Sequence, residues 1–175
     1  MPHPSTTPLE IAREQLLSAA TGWSPQQEIC GVSNALGRVL ATEQISSVDL
    51  PQTDNVAVDG YAVEAAFLAA HPDHLFKVAG TARAGHPFAG TAAPGDAVRV
   101  FTGAVMPEGP DCVVMHEDCQ ISDVGIICGK QLKSGTNLRP AGENIAAGET
   151  LAAKGVFLGA ADIGQLAAAG LSQIP

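Results

Sequence analysis

Residues 54–63 read DNVAVDGYAV. Two carboxylates, Asp54 and Asp59, stand five positions apart with small and β-branched residues between them. The apolar residues in between fit a short buried strand. Gly60 supplies a backbone conformation closed to other residues, and Asp54-Asn55 fits an Asx-type turn. Paired acids of this kind bind a cation or act in proton transfer. The structural alternative is that Asp54 caps a turn and Asp59 satisfies backbone amides. The residues alone leave both open.

Downstream of this stretch the pattern is β from Phe76 to about Gln131. Short apolar runs (FKVAG, AVRVF, CVVM and VGIIC) alternate with glycine-rich turns, and GTARAG and GTAAPG bracket the turn GHPFAG. Upstream, Ser46–Asp54 is polar with a proline and reads as a linker. Arg38–Ile45 (RVLATEQI) reads as a strand, preceded by a short helical turn around Ser33–Leu36. The chain begins with a helix: Thr7 as N-cap, Pro8 at the first helical position, Glu10 completing a capping box, and Leu9, Ala12, Leu16 and Ala19 or Ala20 at helical spacing, ending at Gly22. A second helix is expected over Ala160–Ala169, with Ile163, Leu166 and Ala167 on one face and Gly170 as its stop.

This alternation at both ends around an unlike β unit predicts a discontinuous outer domain, residues 1–48 plus 142–175. A β-rich domain, residues 49–141, is inserted into it. The fold class is α+β, mainly β, with short flanking helices. Of 175 residues, 46% are hydrophobic, which is a globular composition. Aromatics are only 4%, so more than one thin core of small side chains is expected.

The net charge of −9 repels nucleic acid and anionic lipid at long range, so neither is an expected partner. It does not exclude an anionic ligand held by local arginines or backbone amides. No apolar run approaches a membrane span, and MPHPSTTPLE lacks the pattern of a signal peptide. Cys30, Cys112, Cys119 and Cys128 form no CxxC pair and read as free thiols in a reducing cytoplasm. His71 and His74, three apart, suit a solvated turn or one half of a metal site. No second cluster supports a metal there.

Two further segments carry chemistry. In Arg99–Glu117 (RVFTGAVMPEGPDCVVMHE), Thr102-Gly103 follows a strand, where a hydroxyl can reach a ligand oxygen. In Gly135–Gly148 (GTNLRPAGENIAAG), Arg139 offers a bidentate fork to phosphate or carboxylate, or pairs with Glu143 at the surface. The ordered set DNxAxDGYAV, TGAxxPxGxDxVVMxE and GxNxRxxGExI resembles the molybdopterin molybdenumtransferase family, related to the gephyrin E domain. The resemblance runs from about residue 8 to 175.

That resemblance implies the N-terminal region of an enzyme of molybdenum cofactor biosynthesis, elongated and β-rich with an inserted domain. The family's enzymes insert molybdenum from molybdate into adenylylated molybdopterin and release AMP, with Mg2+ assisting. They work as cytoplasmic homodimers, with the active site between the pterin-binding domain of one subunit and the inserted domain of the other. On this pattern Asp59 and Thr102 are the expected catalytic residues, Thr102 donating a hydrogen bond to an oxyanion. Arg139 and Glu143 are the expected substrate-binding residues, and no metal ligands are assigned. Asn144 stands where aspartate is common, and His116 where glutamine is common. The GGVSxG-type and TGDEL-type motifs of the C-terminal pterin-binding domain do not occur before Pro175. The chain alone is therefore expected to be incomplete and inactive, with no cofactor tightly bound. The competing reading is a non-catalytic dimerisation or scaffold module.

Overall fold

The structure is a computed structural model and describes residues 8–175. In chain order its elements begin with α1 (Leu9–Ala20), β1 (Cys30–Gly31), β2 (Gln44–Ile45), β3 (Asn55–Val56), β4 (Gly60–Val63) and α2 (Ala65–Ala70). Then come β5 (Leu75–Ala82), β6 (Asp96–Val100), β7 (Cys112–Met115), β8 (Cys119–Ser122) and β9 (Gly125–Cys128). β10 (Leu138–Arg139), β11 (Thr150–Ala152), α3 (Ala160–Ala168) and β12 (Gln173–Ile174) complete it.

The four apolar runs predicted as strands become β5, β6, β7 and β9. Together with β4 and β8 they form one six-stranded sheet in the order β7-β4-β6-β5-β9-β8. Only β5 and β6 pair in parallel. β7 and β8 lie at opposite edges of that order, yet a single helical turn, His116–Asp118, joins them. So short a link curls the sheet into a half-barrel.

Alternation along the strands explains why they read as unbroken apolar runs. On one face Tyr61, Val63, Phe76, Ala97, Cys112, Val114 and Ile126 pack under Ala65 and Leu68 of α2. On the other, Ala62, Ala82, Val98, Val100 and Val113 pack beneath Val56, Ala92 and Ala104. Over β4, β6, β7 and β9 both faces are largely covered, so period-2 polarity vanishes from their sequence. A third cluster joins Val32, Ala35 and Leu40 to Leu151, Leu158, Leu166 and Ile174 near the other end of the chain. Two strand pairs, β1–β12 and β2–β11, tie these segments together.

Several local expectations change. Pro8 stands one position earlier than expected, as N-cap: its backbone is extended (φ −51°, ψ 144°) while its carbonyl accepts from Ala12 N–H at 3.0 Å. Thr7 lies outside the described residues. The strand expected over Arg38–Ile45 shrinks to β2 and one bridge, Val39–Phe157. Leu40 is buried while Val39 is exposed, and Leu40 bonds singly to Val156 and Gly155, so no continuous ladder forms. Ser46–Asp54 is not a free linker: Ser46 N–H donates to Glu149, and Leu50 N–H to Ile145. In α3, Leu166 is buried and Ile163 packs beside it, but Ala169 rather than Ala167 reaches the core. Asp162 accepts from Gly159 N–H at 2.8 Å, and Gly170 ends the segment at φ +83°. His71–Asp73 is an exposed turn, as expected, with His71 stacked on Phe67 at 4.3 Å, while the half-buried His74 has its Nε2 3.0 Å from Gly95 O.

At Gly60 the strands approach so closely that a Cβ would lie 2.0 Å from the Val114 carbonyl oxygen. Gly60→Ala should therefore lower stability by about 3 kcal/mol or prevent folding. Gly164→Ala, inside α3 with nothing within 4 Å of the new methyl, should raise stability by roughly 0.5–1 kcal/mol. Urea midpoints of the two variants check both signs.

Candidate functional site

Three stretches of chain converge on residues 54–59. Val56 N–H donates to Ala104 O and Gly103 N–H to Val56 O, each at 2.8 Å, while Met106 N–H reaches Asp54 O at 2.9 Å. On the opposite side β3 pairs antiparallel with β10, Arg139 facing Asn55 and Leu138 facing Val56. Ala57 N–H donates to Asn137 O at 2.9 Å. The two walls are the TGAVMP and TNLRPAGE portions of the sequence, so all three motif segments are spatial neighbours.

Asp59 sits where β3 gives way to β4. Its Oδ1 accepts from Thr102 N–H at 2.9 Å and from the Thr102 hydroxyl at 2.8 Å. Both residues are exposed. Among the described residues Oδ2 accepts no hydrogen bond. Thr102 follows β6 after Phe101, and Gly103 after it turns the chain at φ +81°. The Asp59 carboxyl is held below its ordinary value, first by the Thr102 N–H, next by the Thr102 hydroxyl, and then by the positive charges of Arg99 and His116. The hydroxyl proton expected to serve an oxyanion is thus committed to Asp59.

Arg99 comes from the strand beside β4, opposite Tyr61. Its guanidinium lies 4.8 Å from the Tyr61 ring centre and 4.9 Å from that of Phe101, and it donates to Gly60 O at 3.1 Å. Arg83 covers Phe101 at 5.3 Å, and His116 stacks on Tyr61 at 6.1 Å. The Arg99 guanidinium thus sits on aromatic faces beside the carboxylate.

Across β3, Arg139 Nε donates to Glu143 at 2.7 Å and Nη2 donates to Asn144 Oδ1 at 3.2 Å. The pair is half exposed, and such pairs contribute about 0–1 kcal/mol. Asn144 thus keeps a hydrogen bond to Arg139 without the charge of an aspartate. Asp54 caps this wall, its Oδ1 accepting from Ala141 N–H at 2.8 Å. A cavity of about 650 Å³ lies elsewhere, among Cys30, Arg38, Leu40, Lys154 and Pro175, and is lined by none of these residues.

A family model described as the MoeA N-terminal region (domain I and II) matches residues 7–170. The chain belongs to this family. It is 33% identical over 167 residues to the molybdopterin molybdenumtransferase of Haemophilus influenzae, covering 95% of this chain and 41% of that protein. It is 38% identical over 151 residues to the molybdopterin molybdenumtransferase of Nostoc, covering 84% and 34%. A molybdopterin biosynthesis MoeA protein from Pyrococcus superposes with a TM-score of 0.83 at 30% identity, covering 92% of this chain and 42% of that one. The chain spans about two fifths or less of the length of the curated relatives quoted.

Within this MoeA N-terminal region, Asp59 and Thr102 touch directly, as do Arg139 and Glu143, and β3 separates the two pairs. Sequence spacing gave no sign that Asp59 and Thr102 share two hydrogen bonds. It also passed over Arg99, Tyr61, Phe101 and Arg83. The available signal was an arginine inside the otherwise apolar strand 97–101, since a charge there needs a partner.

Asp59 holds its charge more tightly in the folded chain than in the unfolded one. Its contribution to stability is therefore present above the unfolded value of about pH 4 and disappears as pH falls through the lower folded value. Thr102→Ala removes the hydroxyl and keeps the N–H. The carboxyl midpoint of Asp59, followed by NMR, should rise part of the way toward the ordinary value. An unchanged midpoint would show that the hydroxyl does not hold the charge.

Proposed function

We propose that the chain supplies the N-terminal part of a molybdopterin molybdenumtransferase. Asp59 and Thr102 would stand where molybdenum from molybdate enters adenylylated molybdopterin. The observation that carries this reading is the packing of the other two motif segments on either side of residues 54–57, with Thr102 of one of them clasping Asp59. Its depressed pKa makes Asp59 a poor proton store at neutral pH. It acts instead as a fixed anion that orients a ligand oxygen or a water, and Thr102 positions it. Arg139 keeps donors beyond those given to Glu143 and Asn144 and, with Glu143, contacts substrate from the other wall. The bound molecules are anionic, and the cations near Asp59 offset its charge toward them.

Magnesium is implied by the resemblance. The residues present do not fit a magnesium site of the chain's own: among the described residues no three His, Cys, Asp or Glu cluster. The exposed carboxylate at Asp59 has Arg99 as its neighbour. No step is routed through the ion.

The outer domain of 1–48 plus 142–175 and the inserted domain of 49–141 belong to this proposal. The cluster joining Val32 to Ile174, separate from the two clusters on the sheet, supports the division. Homodimerisation is supported by α1, which buries none of its own residues and leaves Leu9 78% and Leu16 73% exposed. The same helix favours the second reading, a module that only dimerises or docks. A cytoplasmic setting is supported by four cysteines without a disulfide. Among the described residues no helix is long and apolar enough to cross a membrane.

Complementation in trans decides between the readings. Mixed with a separately expressed C-terminal half of the family enzyme, the chain should restore molybdenum insertion. Asp59→Asn should reduce that activity by about tenfold to a hundredfold, as loss of a charged contact does. Undiminished activity with Asp59→Asn would leave the chain a structural module.

A further inference from the structure

Cys119 and Cys128 belong to different strands of one hairpin, β8–β9, which closes through the two-residue loop Asp123-Val124. The register is unbroken: Ser122 faces Gly125, Ile121 faces Ile126, Gln120 faces Ile127 and Cys119 faces Cys128. In an antiparallel pair, hydrogen-bonded and non-hydrogen-bonded positions alternate. Gly129 N–H donates to Asp118 O at 2.8 Å, so residues 118 and 129 lie at a bonded position. Cys119 and Cys128, one step inward, then occupy a non-bonded position. Here the α-carbons approach to about 4.5 Å and the side chains stand closest. That lies inside the range of about 4.4–6.8 Å that a disulfide spans.

Both side chains point to the same face, against the cluster that contains Phe76, Ile126 and Cys112. Their exposures differ in a useful way. Cys128 is buried at 5%, while Cys119 is partly open to solvent. The Cys119 thiol is shifted down chiefly by a hydrogen bond from Cys128, and Cys128 is shifted up by the same contact and by burial. The accessible sulfur is the better nucleophile, and the protected one stands behind it. Cys112, deeper in the cluster, is pushed up to about 12 by burial, and its thiol donates to Val63 O. It takes no part.

We propose that Cys119 and Cys128 are a reversible dithiol–disulfide site that exchanges with low-molecular-weight disulfides. The Cys119 thiolate attacks one sulfur of oxidised glutathione, and a glutathione thiolate leaves. Cys128 gives up its proton to solvent and attacks the Cys119 sulfur, expelling a second glutathione thiolate. Two protein thiols are oxidised to one disulfide, and one small disulfide is reduced to two thiols. The bond cross-links an edge hairpin of the half-barrel at its open end. β8 has a neighbour on one side only, so the hairpin accommodates the change without moving the central strands.

The test is to incubate the full chain with oxidised glutathione, alkylate the remaining thiols and map the peptides by mass. The expected product is a Cys119–Cys128 cross-link with the mass of two hydrogens lost, reversed by dithiothreitol. In Cys128→Ser the reaction should stop at a glutathione adduct on Cys119, and in Cys119→Ser neither adduct nor cross-link should form at the hairpin. The unsubstituted chain carries the test even if a variant folds poorly. An oxidised chain in which Cys119 and Cys128 stay unlinked overturns the proposal, as does a chain oxidised only at Cys30 or not at all.

Discussion

Between β4 and β7 the backbone of Gly60 passes against the Val114 carbonyl with no room for a side chain. That contact fixes how far β4 can slide. β4 is held on both sides, Gly60 facing Met115 in one neighbour and Val100 in the other. Asp59 lies one step before Gly60, and Phe101 and Thr102 follow Val100. The register that seats Gly60 therefore also brings the carboxylate to Thr102. A shift of one residue would turn Tyr61 and Val63 out of their cluster, so the apolar packing and the Asp59–Thr102 contact enforce each other.

The chain is strongly acidic as a whole, yet the surroundings of Asp59 are not. Arg83 lies over Phe101 and Arg99 over both Tyr61 and Phe101, and His116 stacks on Tyr61. Aromatic faces hold the two guanidiniums without neutralising them, in contrast to Arg139, whose charge is met by Glu143. Two arginines with the same formal charge thus present different fields to an approaching anion. At long range the net charge opposes such a ligand, and at short range the guanidiniums favour it.

The sheet was legible because four of its six strands are continuous apolar runs bounded by glycine turns. β4 was half legible: its residues stand within the stretch 54–63, but its central place in the sheet depends on partners 36 to 55 positions away. The two-residue strands β1, β10 and β12 were not legible, because their pairing is decided by tertiary packing rather than by local preference. The site followed the same division. Asp59, Thr102, Arg139 and Glu143 could be picked out as residue types in motifs. The shared oxygen that joins Asp59 to Thr102, and the aromatic seat of Arg99, arise from strand register and have no local signature.

The pairing of β1 with β12 and of β2 with β11 joins residues more than a hundred positions apart. Closing so long a loop carries a larger entropy cost than closing the hairpin between β8 and β9. The order of assembly follows. The half-barrel, whose strands are joined by short connections and which brings Asp54 and Ala141 together, is expected to form first. Only then are Cys30 and Ile174 near enough for the third cluster to condense. A growing chain emerging from a ribosome therefore holds Cys30 and Gln44 without their strand partners until residues 150–174 have been made.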